Sequence, residues 1–235
     1  MTTIYIISAP SGSGKSTLVH EIRQIIAGLY FSISYTTRPP RGSEQNGREY
    51  FFISRSEFEV MIQHDEFLEY AEVYGNSEVS GNYYGTARRF LREAEQTSQD
   101  LLLDIDVQGA AQIKQKVPRA VSIFILPPDR NTLERRLRAR SLDSEEVMQR
   151  RLVTATREIE NYAKYDYILV NDRLEESVEA LKSILLAERL RHSEIQRTAD
   201  DLETLAMAER CRLNNVRERL QPILASFVPA VPGRR

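Results

Sequence analysis

The stretch Ser8-Ala9-Pro10-Ser11-Gly12-Ser13-Gly14-Lys15-Ser16-Thr17 decides how the rest of the chain is read. Before it, Ile4-Tyr5-Ile6-Ile7 is a compact apolar run, the mark of a buried strand. After it, Leu18, Ile22, Ile25 and Leu29 recur at spacings of four, three and four, which predicts an amphipathic helix. A glycine-rich turn between a strand and a helix is the context of a phosphate-binding loop. Gly12 and Gly14 let the backbone turn tightly and aim several N–H groups inward. The following helix points its positive end at the same place. Lys15 adds a mobile cation for β- and γ-phosphates. Ser16 offers a hydroxyl to Mg2+, which keeps most of its waters in such sites. The strict pattern has glycine six residues before the lysine, where this chain has Ala9, which does not easily adopt a positive φ.

Further along, Leu101-Leu102-Leu103-Asp104-Ile105, Val121 to Leu126 and Tyr167-Ile168-Leu169-Val170 are buried-type strands. Pro127-Pro128 ends the second of these, and a helical stretch from about Leu174 follows the third. Strands alternating with helices predict an α/β fold, a parallel sheet with helices on both faces. Two insertions interrupt the pattern. Residues 33 to about 86 are rich in Tyr, Phe, Gly and Thr and predict short strands plus one helix. Ser56-Glu57-Phe58-Glu59 fits a capping box opening that helix. Residues 129 to about 157 are helical and dense in arginine, with Asp143-x-x-Glu146 as a second box. Ligands bind at the carboxyl end of a parallel sheet, so insertions that follow its strands are candidate substrate-gripping elements. Asp104 and Asp106, alternating at a strand's carboxyl end, are expected on one face.

The 235 residues are 41% hydrophobic and 28% charged, a composition that folds and has room for one to two domains. Lys+Arg number 32 and Asp+Glu 34, which argues against a chain whose task is to coat nucleic acid or a membrane surface. One cysteine, Cys211, makes neither an internal disulfide nor a Cys-rich zinc site. His20, His64 and His192 are scattered and support no His-based metal site. No apolar stretch approaches the ~18 residues of a membrane span, so a soluble, cytoplasmic protein is expected.

The motifs SAPSGSGKST, SYTTRPPRGSEQNGREYFF, FLEYAEV, GNYYGT, LLLDIDVQGA, FILPP, RRLRAR with QRRL, and YDYILVND follow in that order. Through them the chain closely resembles guanylate kinase, the nucleoside monophosphate kinase family that phosphorylates GMP, over about residues 3–190. The resemblance implies a P-loop NTPase-type parallel β-sheet flanked by helices. It also implies a small mixed α/β GMP-binding insertion, a helical lid and a C-terminal helical extension. The divisions expected are a kinase domain over 1–190 and an extension over 191–235. Within the first, the core is 1–32, 87–128 and 158–190, the GMP-binding insertion 33–86 and the lid 129–157.

The same resemblance assigns roles. ATP falls to Ala9, Pro10, Ser11, Gly12, Ser13, Gly14, Lys15, Ser16 and Thr17, with Asn171 near the adenine. Arg38 and Arg41 hold the GMP phosphate, as guanidinium forks suit phosphate oxygens. The hydroxyls of Tyr50 and Tyr84 reach the same phosphate. Glu69 and Asp106 accept from guanine N1–H and N2–H2, an edge adenine lacks, and Ser34 and Thr86 complete the recognition. Ser16 serves Mg2+, mainly through phosphates and water, with Asp104 near its water shell. Arg140 and Arg151 match the lid arginines that close on the transferring phosphoryl group and share charge neutralisation with Lys15 and Arg38. Arg135, Arg136, Arg138 and Arg150 lie nearby. The implied reaction is in-line transfer of the γ-phosphoryl of ATP to GMP, and to dGMP, with no nucleic-acid or membrane partner. Without the resemblance, Glu69 is one more surface carboxylate and the two tyrosines are core packing.

Three features depart from the family pattern. Ser141 follows the first lid arginine, where glycine is usual, which predicts a stiffer hinge. Gly-Asn occurs twice, at Gly75-Asn76 and Gly81-Asn82, and removing Ser77 to Asn82 would restore an ordinary loop. After His192 the helical pattern continues through Ile195, Ala199, Leu202, Ala206, Leu213, Val216, Leu220, Ile223 and Phe227, with Glu209 as its break. Pro222 is expected to kink or end it. The extension suits either a helix pair folded back on the kinase core or self-association into a homo-oligomer. Two other functions fit the sequence less well. A guanylate-kinase-like scaffold module lacks the phosphate loop, whereas Gly14-Lys15-Ser16 is intact here. A related kinase of ribose bisphosphate needs no guanine site, whereas Glu69, Ser34 and Asp106 are present.

Overall fold

In the computed structural model, which describes residues 2–73, 81–140 (Arg140 by its backbone alone), 144–192 and 196–228, each of the four apolar runs forms a strand. The chain begins β1 (Ile4–Ser8), α1 (Lys15–Ile25), β2 (Leu29–Phe31), β3 (Tyr35–Thr36) and β4 (Phe51–Phe52). It continues α2 (Arg55–Gln63), β5 (Phe67–Val73), β6 (Asn82–Ala87), α3 (Arg89–Gln96), β7 (Asp100–Asp104) and α4 (Val107–Lys116). Then come β8 (Val121–Leu126), α5 (Arg130–Arg140), α6 (Glu145–Ile159), β9 (Tyr167–Val170), α7 (Leu174–Arg191), α8 (Ala199–Arg210) and α9 (Leu213–Phe227). These residues divide into two compact units, Met1–Ile7 with Ala27–Ser122 and Ser8–Ile26 with Ile123–Arg235.

In the first unit β7 lies between β2 and β1, parallel to both, with Ile6 opposite Leu103 and Tyr30 opposite Leu101. Ile6, Ile7, Leu101, Leu102 and Leu103 are completely buried, so successive residues on both faces are covered. Each contributes about 1.5–3 kcal/mol through burial. The insertion forms a second sheet in the order β4-β3-β6-β5. Its cover is aromatic: Phe58 of α2 stacks on Phe67 at 4.3 Å and on Tyr83 at 5.0 Å. The box that opens α2 lies two residues earlier than the sequence suggests. Ser54 Oγ accepts from Glu57 N–H, and the Glu57 carboxylate accepts from Ser54 N–H at 2.7 Å. Of the segment Ser77 to Asn82, residues 77–80 lie outside the described residues, and its last residue, Asn82, is the cross-strand partner of Val73.

In the second unit α1 ends at Ile25, which is exposed, and Leu29 belongs to β2. Ile26 is already extended and Gly28 has φ +70°, so the helix stops although the apolar spacing continues. β8 and β9 pair in parallel, from Ile123 opposite Tyr167 to Leu126 opposite Val170. The N-cap of α6 is Ser144, whose hydroxyl accepts from Val147 N–H. Asp143, expected in that place, and Ser141 are outside the described residues.

The extension is a helix pair, and its helices pack on their own chain: α8 against α7, α9 against α5 and β9. Ala208, Val216, Leu220 and Phe227 are buried by this packing, while Leu202 stays exposed. Pro222 does not end α9, which runs through it to Phe227. The turn between α8 and α9 bonds to β9: Ile168 N–H donates to Cys211 O at 2.8 Å and Leu213 N–H to Asp166 O at 3.1 Å. Covering a strand's free edge in this way removes a template for unwanted pairing.

Candidate active site

The second unit carries the glycine-rich loop between β1 and α1. Gly12 and Gly14 have φ near +90°, a region closed to most side chains. Ser13 N–H closes the turn on Pro10 O at 3.1 Å. A Cβ on Gly14 would lie 2.3 Å from Asn171 Nδ2, so that position is closed to a side chain twice over. Asn171, buried at the end of β9, donates that amide to Ser13 O at 2.7 Å and receives Arg136 Nη1 on its own carbonyl at 3.0 Å. Its amide thus holds the loop's backbone. The first turn of α1 holds no acidic residue, and Gly14, its N-cap, brings no side-chain acceptor. α2, α4, α6 and α8 carry side-chain caps, whereas α3, α7 and α9, like α1, do not. An anion at α1 therefore finds undiluted helix-end donors. Lys15 and the exposed Ser16 and Thr17 open that helix. Glu158 of α6 accepts weakly from Ser11 N–H at 3.4 Å.

In the arginine-dense helices α5 and α6 of the same unit, two arginines are braced by carboxylates. Arg138 pairs with both Glu134 and Glu145 at 2.7 Å, and Arg150 with Glu146. Arg151 lies half-buried in α6, and Arg140 is the last residue of α5.

The first unit carries a different constellation. Arg38 is nearly buried at 6% exposure, an unusual place for a guanidinium. Its two terminal nitrogens form a fork on Glu44 at 2.8 and 2.9 Å, and Nε donates to Tyr84 Oη at 3.2 Å. Tyr50 lies against the same group, its ring centroid 5.3 Å from the guanidinium and 5.8 Å from the Tyr84 ring. Arg41 is exposed and donates its backbone N–H to Glu44 at 2.8 Å. The Arg38 hydrogen bonds hold the Glu44 carboxyl below its ordinary range. Glu44 thus keeps a buried cation in place by neutralising it.

On β5, Glu69 is 4% exposed and its carboxylate accepts from Thr86 Oγ1 at 2.7 Å across the β5–β6 pair. Burial pushes its pKa up to about 7, with the Asp106 carboxylate adding to the rise. Asp106 is not on the strand face, because β7 ends at Asp104. It is the N-cap of α4, where Oδ1 accepts from Gln108 and Gly109 N–H at 2.9 and 2.8 Å. Ser34 stands just before β3, its carbonyl bound by Phe51 N–H at 2.9 Å. The structure therefore groups Arg38, Tyr50 and Tyr84 in one cluster and Glu69, Thr86 and Asp106 in another.

A family model described as guanylate kinase matches residues 1–188. The chain belongs to the guanylate kinase family. Among its relatives, the guanylate kinase of Koribacter versatilis (strain Ellin345) is 57% identical over 231 residues, 97% of each chain. That of Escherichia coli (strain K12) is 47% identical over 209 residues, 88% of this chain and 98% of its own. Among solved structures, guanylate kinase from Anaplasma phagocytophilum covers 80% of this chain and 86% of its own at 33% identity, with a TM-score of 0.65. Sequence reading alone missed Glu44, the counter-ion of Arg38. The only hint is an acid within the run Arg38-Pro39-Pro40-Arg41-Gly42-Ser43-Glu44.

Proposed function

We propose that the protein is an ATP:GMP phosphotransferase that makes GDP and ADP. One observation carries this reading: the buried Glu69–Thr86 pair and the Arg38–Tyr84 pair share strand β6. Thr86 and Tyr84 are two residues apart, hence on one face and about 7 Å from each other along the strand. A base-reading acid and a phosphate-reading cation at that separation suit a purine nucleoside monophosphate. A carboxylate accepts from guanine N1–H and N2–H2 but meets an acceptor on adenine N1. A buried site built this way rejects the wrong base strongly, because its own groups go unpaired.

The phosphate of GMP is the nucleophile, so no side chain has to form a covalent intermediate. The first unit binds and orients the acceptor. In the second unit the loop amides, the α1 terminus and Lys15 hold the donor's phosphates. Arg140 and Arg151, also of the second unit, are assigned the charge that spreads over the transferring group. Among the described residues no group of three or more His, Cys, Asp or Glu could hold a metal. A Mg2+ ion, carried mainly by phosphate oxygens and water, would draw on the Ser16 hydroxyl, with Asp104 able to serve its water shell. Such an ion would neutralise charge on the β- and γ-phosphates. The proposed kinase domain ends near residue 190, which the reach of the family model to residue 188 supports. Among the described residues no helix is long and apolar enough to cross a membrane. A cytoplasmic location is part of the proposal.

A coupled assay of ADP release with GMP, dGMP, AMP and ribose bisphosphate tests the reading. Turnover is expected with GMP and dGMP, dependent on Mg2+, and not with AMP. Turnover of ribose bisphosphate without turnover of GMP would reject it. The raised pKa of Glu69 adds a second expectation. Guanine needs the ionised carboxylate, and a group of pKa about 7 is mostly protonated at pH 6 and mostly ionised at pH 8. The KM for GMP should therefore fall about tenfold between those two values. Glu69→Gln should raise KM and leave only the gentler drift from the phosphate's own ionisation. Identical pH profiles for parent and variant would refute the assignment.

A further inference from the structure

Glu69 reaches the base-reading position through an irregularity in its strand. On β6, Ala87 and Thr86 are neighbours, but their β5 partners are Phe67 and Glu69, so the register shifts at Leu68. Such an extra residue bends the strand and re-aims the side chains beside it. Left alone it also frees backbone groups that need partners. Here one face of α4 supplies them. Lys116 Nζ donates to Leu68 O at 2.6 Å. The Gln112 side-chain amide takes both backbone groups of Tyr70, accepting from its N–H at 3.3 Å and donating to its carbonyl at 2.6 Å. β5 is the last strand of its sheet, so Gln112 pairs its free edge as another strand would. One turn nearer the N-terminus is Gly109, where a Cβ would lie 2.4 Å from Glu69 Oε2. Gly109, Gln112 and Lys116 follow at spacings of three and four, one face of a helix. The same helix is capped by Asp106, the second acid of the base-reading pair.

We propose that the Gly109–Gln112–Lys116 face of α4 is a positioning surface that holds the irregularity in β5 and so sets where the Glu69 carboxylate meets guanine. None of the three residues touches the base; they act on base selection through β5. The inference rests on the GMP-reading function proposed above. Its mechanism is geometric. Gln112 and Lys116 fix the backbone on either side of Glu69, and the missing Cβ at Gly109 leaves room for its carboxylate. Lys116 also opposes the rise in the Glu69 pKa.

The test uses the full chain with Gln112→Ala, Lys116→Met and Gly109→Ala, each checked for folding by its melting curve. KM and kcat are measured for GMP and for IMP, which keeps N1–H but lacks the N2 amino group. Gly109→Ala should raise the KM for GMP at least about tenfold, with the KM for ATP within about twofold. Gln112→Ala and Lys116→Met should raise it about threefold to tenfold and narrow the preference for GMP over IMP, with kcat changing less. Lys116→Arg, which keeps a cationic donor, should restore most of the loss. If the folded Gln112→Ala and Lys116→Met proteins keep the parental KM and the parental GMP-to-IMP ratio, the positioning role is wrong. Parental protein that fails to turn over GMP would instead overturn the functional reading beneath it.

Discussion

Lys15→Ala is expected to lower kcat by on the order of 10³ while the affinity for GMP changes less than about twofold. From Ser8 to Thr17 the chain has one charged residue, Lys15, and it opens α1. The remaining positive potential there comes from backbone amides and the helix end, worth about half an elementary charge. Neither can follow the charge as it moves from the γ-phosphoryl oxygens onto the bridging oxygen of the leaving ADP. A flexible ammonium can, and its loss falls on the transition state more than on the bound substrates. The groups proposed to hold GMP, from Arg38 to Asp106, belong to the other compact unit, so the acceptor should bind the variant almost unchanged. Steady-state turnover and calorimetric titration of GMP decide the matter together. A kcat within tenfold of the parent would remove Lys15 from the reaction. A matching loss of GMP affinity would mean that the variant had lost structure.

How far the sequence reaches depends on the range of the interaction. The apolar runs at Ile4, Leu101, Val121 and Tyr167 were legible because a strand covered on both faces needs little but its own composition. Spacing alone could not end α1, since Leu29 continues the pattern; Gly28 and the extended Ile26 break it. At α2 the pattern Ser-x-x-Glu occurs twice, as Ser54 to Glu57 and Ser56 to Glu59. The buried ring of Phe58 and the hydrogen bonds of Ser54 choose the first. Asp106 was expected to share a strand face with Asp104, but an aspartate beside a helix start gains two backbone donors by capping it. The least legible features are those set by distant partners. No local pattern ties Lys116 to Leu68, Gln112 to Tyr70 or Gly109 to Glu69. The candidate site residues came from the family resemblance; the helix that positions one of them came from three dimensions.

The extension after residue 190 is the other place where contacts had to be seen, and it yields the second large effect. Glu188 of α7 is 7% exposed and has three cationic or hydroxyl partners. Tyr167 Oη donates to it from β9, Arg191 from its own helix, and Arg212 from the α8–α9 turn at 3.0 Å. Arg212 also lies over the Tyr167 ring, 4.4 Å from its centroid, while Arg191 reaches on to Glu209 at 3.0 Å. One carboxylate thus ties the extension to β9 and α7. Glu188→Ala leaves two guanidiniums and a buried phenol around an apolar gap. The guanidiniums are about a third exposed and regain some hydration, which places the cost near the low end for a broken buried pair, about 3 kcal/mol. For a chain of this size that is a fall in Tm of about 6–12 °C. Glu209→Ala, which removes an exposed partner only, should cost less than about 1 kcal/mol. Limited proteolysis separates a lost latch from general softening, because α8 and α9 should be cut well before the strands. If Glu188→Ala melts within about 1 °C of the parent and its last two helices resist cleavage equally, apolar packing alone holds the extension. Val216, Leu220 and Phe227 would then be the residues to truncate.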